Sequence, residues 1–139
     1  MGVEFFTDIS IKILDLVTEY KPNVRLVCFL RDRKQPYRKY YIRMFEENMI
    51  LVFNLLITLE ELVLVEKLSS STLITIIKRS YSLKDDIVFL GRGSIKIGNI
   101  CIKILASNLV ENGEEALRNL NNETRYKNLK KKITKALGE

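Results

Sequence analysis

The chain has 139 residues, of which 47% are hydrophobic and 29% charged, and its formal net charge is +6. This length suits one domain that buries roughly two thirds of the surface its unfolded chain exposes, and the composition is globular rather than disordered. Histidine is absent, which removes the commonest general base and metal ligand. No GxxxxGK[ST] or GxGxxG phosphate cradle occurs either, so a non-catalytic protein without cofactor or metal is expected.

The N-terminus carries Glu4 and Asp8 where a signal peptide needs a positive flank. The longest nearly uncharged run, Asn48 to Leu59, is about half the length that crosses a bilayer. A cytoplasmic location and no membrane partner are the expectation. Cys28 and Cys101 lie far apart and read as buried structural thiols.

From Asp8 to Tyr20, the spacing of Ile9, Ile13, Leu16, Val17 and Tyr20 predicts a helix that Lys21-Pro22-Asn23 ends. Val24 to Leu30 is rich in strand formers, and Tyr37 to Arg43 reads as its antiparallel partner across a loop containing Gln35-Pro36. This hairpin carries Arg31, Arg33, Lys34, Arg38, Lys39 and Arg43 against Asp32, a local charge of +5. A second segment, Arg125 to Glu139, sets Arg125, Lys127, Lys130, Lys131, Lys132 and Lys135 against Glu139, again +5. Together they carry +10 in a chain of +6, which leaves −4 on the remainder. Such polarisation is the footprint of a phosphate binder. Tyr37, Tyr40 and Tyr41 interleave with the first cluster and offer aromatic faces to bases or sugars. Arg31, Arg33, Lys34, Tyr37, Arg38, Lys39 and Tyr40 are therefore assigned to nucleic-acid contact, with DNA favoured over RNA.

Met44 to Leu59 fits strand or helix, because a continuous apolar run has no decisive period. Thr58-Leu59-Glu60-Glu61 has the form of a capping box and predicts a helix from Leu59 to about Glu66. Ser69 to Thr72 offer N-caps for a second helix with Leu73, Ile76, Ile77 and Ser80 on one face. Ile87 to Leu90, the Gly91-Arg92-Gly93 turn and Ser94 to Ile97 read as a second hairpin. From Asn112-Gly113 the chain reads as helical to Leu137 with a break at Asn121-Asn122. There Tyr126, Leu129, Ile133 and Ala136 form a narrow apolar stripe that would either pair with a second copy as a homodimer or lie on the core.

Read together, Ile57 to Gly98 resembles the winged helix-turn-helix domain of bacterial and archaeal transcription regulators. The match is carried by Ile57-Thr58-Leu59-Glu60-Glu61-Leu62, Leu68-Ser69-Ser70-Ser71-Thr72-Leu73, Ile77-Lys78-Arg79 and the Ile87 to Ile97 wing. The resemblance implies that Ser70, Ser71, Thr75 and Lys78 face the major groove, with Arg79 closing the recognition helix and Arg92 and Lys96 on the wing. It departs from the pattern at Val63, Leu64, Val65, Lys67 and Ile74. The same stretch is also similar to the Alba-type chromatin and RNA-binding fold, with Leu62 to Val65 and Ile87 to Leu90 as strands, Ser71 to Ser80 as a helix and Gly91-Arg92-Gly93-Ser94-Ile95-Lys96 opening a second helix. A third reading makes strands of Met49 to Ile57, Leu62 to Lys67 and Thr72 to Ile77.

The expected architecture is thus α+β. It has an N-terminal helix and β-hairpin (1–45), a winged-helix-like core (46–108) and a basic C-terminal helical segment (109–139), all in one domain. The expected function is binding of duplex DNA, as a regulator or architectural protein. The competing expectation is a protein-interaction module or subunit of a larger assembly whose apolar Leu64, Val65 and Ile74 form the interface.

Overall fold

The structure, a computed structural model, describes residues 2–19, 46–81 and 94–139, and among them there are six α-helices and no strand. The helices are α1 (Gly2–Glu19), α2 (Glu46–Glu61), α3 (Ser70–Ser80), α4 (Ile95–Ala106), α5 (Gly113–Glu123) and α6 (Lys127–Ala136), with a 3-10 turn at Val65–Lys67 before α3. The expected α+β winged-helix architecture is therefore corrected to an all-helical one over the described residues. The first hairpin, the Ile87 to Leu90 strand and the Gly91-Arg92-Gly93 turn lie outside them.

At the centre is α4. Ile97, Cys101 and Ile104 recur at helical spacing, and Ile102 and Leu105 widen the buried face until Ile95, Lys96 and Lys103 are its exposed positions. A helix apolar over most of its circumference must be enclosed, and α4 packs against α2, α3, α5 and α6. Ser94 to Ile97 alternate as a strand would, yet they are the N-terminus of this helix. The buried Ser94 hydroxyl donates to the Ser80 carbonyl at 2.9 Å, tying α4 to the end of α3. One contiguous core joins all six helices, with Leu14 and Val17 from α1, Leu56 and Leu59 from α2, Leu117 and Leu120 from α5, and Leu129 and Ile133 from α6.

The Thr58 capping box does not open a helix. Thr58 lies in the last turn of α2, where its hydroxyl donates to the Asn54 carbonyl at 2.8 Å, and the helix stops at Glu61. The stop is a Schellman motif: the Leu64 N–H donates to the Leu59 carbonyl at 2.8 Å and the Val63 N–H to the Glu60 carbonyl at 3.1 Å. Leu62 to Val65 forms this turn rather than a strand, and Thr72 to Ile77 belongs to α3, which removes the strands that the Alba-like and all-strand readings need there. Nor do α2 and α3 form the packed pair of a helix-turn-helix. The principal neighbours of α2 are α4 and α1, whereas α3 packs on α4, α1 and α5.

The helical segment expected after Asn112-Gly113 is present, with its break at Thr124 to Tyr126 instead of Asn121-Asn122. Gly113 opens α5 where the backbones meet: a Cβ there would lie 2.4 Å from the Leu105 carbonyl oxygen of α4. In α1 the buried face is Thr7, Ser10, Leu14 and Val17, while Ile9 and Leu16, expected on the inner side with Val17, are exposed.

Candidate nucleic-acid interface

Helix α6 is basic because its apolar residues are confined to one narrow stripe. Leu129 and Ile133 are fully buried, and Lys127, Lys131, Lys132 and Lys135 are exposed around the rest of the circumference, with Lys130 half-buried. The stripe thus lies on the core of its own chain. Of the residues expected to join two copies, Leu129 and Ile133 are enclosed and Tyr126 remains at the surface.

Helices α4 and α6 border an open groove of about 610 Å³. It is lined by Asn99, Ile102, Lys103 and Ala106 of α4 with Ser107 just after it, and by Lys132, Lys135 and Ala136 of α6. Among the described residues no carboxylate lines it. Glu60 of α2 pairs with Lys103 at 2.7 Å, which partly offsets that ammonium and fixes its direction; Lys103 remains 65% exposed. Lys96, two turns before Lys103 on α4, is exposed as well. The two lysines of α6 are three residues apart and so project from neighbouring positions on one helix face.

Asn99 of this groove is bonded in turn to one member of a tyrosine pair. Tyr81, just after α3, is buried, and its hydroxyl donates to Asn99 Oδ1. Burial, and secondarily the neighbouring Tyr126, push the Tyr81 phenol above its ordinary value, so it keeps its proton at neutral pH. Tyr126 meets Tyr81 edge to face, with centroids 5.8 Å apart and ring planes inclined at 69°.

The sequence-expected site is distributed differently. Arg31, Arg33, Lys34, Tyr37, Arg38, Lys39, Tyr40 and Arg92 lie outside the described residues. On α3, Ser71 is exposed and Ser70, Thr75 and Lys78 are half-exposed. The hydroxyls there are engaged locally: Ser71 is 2.8 Å from the Ser69 hydroxyl, and Thr75 donates to the Ser71 carbonyl at 3.0 Å. Lys78 stands 3.8 Å from Glu123 of α5. Arg79 does not face outward. It is buried, and its guanidinium donates to the Val17 carbonyl, where a cation satisfies an orphan carbonyl at the end of α1 and complements the helix dipole. Lys96 is on a helix, not a wing. The apolar trio Leu64, Val65 and Ile74 is also not an open interface, because Val65 is fully buried and Leu64 and Ile74 pack against the core.

Sequence reasoning identified the lysines of α6 but not their union with Lys103 across a groove, nor Tyr126 beside it. The signal for Lys103 was available in its seven-residue separation from Lys96, two helical turns on one face of α4. No helix among the described residues is long and apolar enough to cross a membrane. No family model, curated protein or solved structure matches this chain.

Proposed function

We propose that the chain is a non-catalytic nucleic-acid-binding protein that holds phosphates in the groove between α4 and α6. The observation that carries this reading is the groove itself: Lys103, Lys132 and Lys135 all line it, Lys103 paired with Glu60 of α2, and among the described residues no carboxylate lines it. In an otherwise net-acidic remainder, such a concentration of cations attracts a polyanion and is repaid by release of its condensed counterions. The Arg31 to Arg43 segment adds a further +5 to the chain's cationic character.

The proposed mode is backbone binding without base readout by α3. That helix's outer face presents hydroxyls, which discriminate bases weakly compared with bidentate Arg, Asn or Gln, and its one well-placed arginine is turned inward. An architectural or general nucleic-acid-binding role in the cytoplasm is accordingly favoured over a sequence-specific regulator. Titration of labelled oligonucleotides at two salt concentrations tests the reading. Micromolar or tighter binding that weakens with salt is expected, and absence of binding at low salt contradicts it.

A further inference from the structure

We infer that Tyr126 is a base-stacking platform beside the α4–α6 groove, and that the groove's ligand is single-stranded nucleic acid. The inference rests on the groove being a phosphate site and adds the chemistry that a simple polyanion would not use.

Three observations support it. Tyr126 is 40% exposed although its neighbour Tyr81 is buried, so an aromatic ring is left at the surface between two exposed cations, Arg125 and Lys127. The ring rests on a packed neighbour, and its own backbone is anchored beside it. Its edge-to-face partner Tyr81 is wedged against Gly98, where a Cβ would approach Tyr81 Cε2 to 2.9 Å, and the Tyr126 N–H donates to the Thr124 hydroxyl at 3.2 Å. The ring is linked to the groove through one neighbour: Tyr81, which it meets edge to face, bonds to Asn99, which lines the groove.

From Tyr126 the lysines Lys132 and Lys135 follow along α6. At ~1.5 Å per residue the ring and the last of these are about 13 Å apart along the helix, a reach of a few nucleotides. Every base has a π-face that an aromatic ring can cover, and successive phosphates can follow a basic track, which is the usual construction of a sequence-tolerant single-strand site. In an intact duplex the faces are already occupied by neighbouring base pairs, so a ring beside the groove finds only edges and backbone.

The chain contains no tryptophan, so a Tyr126→Trp variant carries a single indole reporter at the proposed contact. Full-length variant is titrated with 12-nucleotide oligo(dT), oligo(dA) and oligo(rU), with a duplex of equal length, and with inorganic polyphosphate. Single strands are expected to quench the indole emission, whereas polyphosphate binds without quenching and the duplex quenches less than either strand. Tyr126→Ala is expected to weaken single-strand binding roughly tenfold while leaving polyphosphate affinity within about twofold, and Tyr126→Phe to restore the wild-type value. Circular dichroism establishes that the variants fold; if Tyr126→Ala does not, the quenching of Tyr126→Trp by single strands against polyphosphate carries the test. Binding of all ligands with no quenching and no effect of Tyr126→Ala overturns the stacking site while leaving the phosphate groove intact. Equal quenching by duplex overturns the single-strand assignment, and failure of every polyanion to bind removes both this inference and the reading beneath it.

Discussion

Val63 stands at φ 57°, in the left-handed region, as the residue that closes the Schellman motif after α2. The other two non-glycine residues described at positive φ are Asn108 and Asn112, a residue type that tolerates this conformation, whereas a β-branched side chain is strained there by about 1–2 kcal/mol. Val63 is 60% exposed, so its side chain recovers little of this by burial. Val63→Gly is expected to stabilise the fold by about 1 kcal/mol, after allowing for glycine's greater freedom in the unfolded chain, and to raise the thermal midpoint by about 3 °C. Cys101 provides a second test. Complete burial pushes its thiol well above the ordinary range, so the folded state binds its proton more tightly than the unfolded state does. Its contribution to stability is fully present below the unfolded value of about 8.5 and is lost as pH rises above it, by up to about 1.4 kcal/mol per pH unit. Urea midpoints from pH 7 to 10 should therefore fall more steeply in the wild type than in Cys101→Ala; parallel profiles would show that Cys101 ionises equally in both states.

At the scale of the elements, α6 separates its structural stripe from its charged circumference. Ile133→Ala is expected to cost about 2–4 kcal/mol, because the side chain is fully enclosed in the common core, whereas Lys131→Ala should change stability by less than about 0.5 kcal/mol. Urea denaturation of both variants measures the contrast. This division was legible in the sequence, since Leu129 and Ile133 repeat at helical spacing among lysines, and so was α3, whose Leu73, Ile76 and Ile77 are all buried. In α2 the buried set Val52, Leu55, Leu56 and Leu59 has clear helical spacing, but Ile50, Leu51, Phe53 and Ile57 surround it with further apolar residues and obscure the period. Thr58-Leu59-Glu60-Glu61 misled for a different reason: a threonine with a glutamate three residues on also fits inside a helix, where the hydroxyl bonds back to its own preceding turn. Ser94 to Ile97 alternate like a strand, yet the burial available to α4 on several sides outweighs that local preference. The groove was not legible because Lys103 and Lys135 come to line it through tertiary packing, and neither residue's neighbours in sequence indicate the other.

For the whole molecule, the decisive feature is where the positive charge accumulates. A chain of net charge +6 places its C-terminal +5 on and around one helix and leaves the remainder apart from the two basic segments at −4. That acidity is visible in α1, where Glu4, Asp8, Asp15 and Glu19 outnumber Lys12. On the proposed reading a long anion is drawn to the cations of α6, and that attraction is screened within about 10 Å at 0.1 M salt. The most direct test compares the salt dependence of single-stranded oligonucleotide binding, by fluorescence anisotropy, between the wild type and Lys132→Ala/Lys135→Ala. Each phosphate contact to a single strand contributes about 0.7 to the slope of log affinity against log salt, so the double variant should bind more weakly with a slope shallower by about 1.4. Parallel lines of equal affinity would contradict the assignment of phosphate binding to this groove.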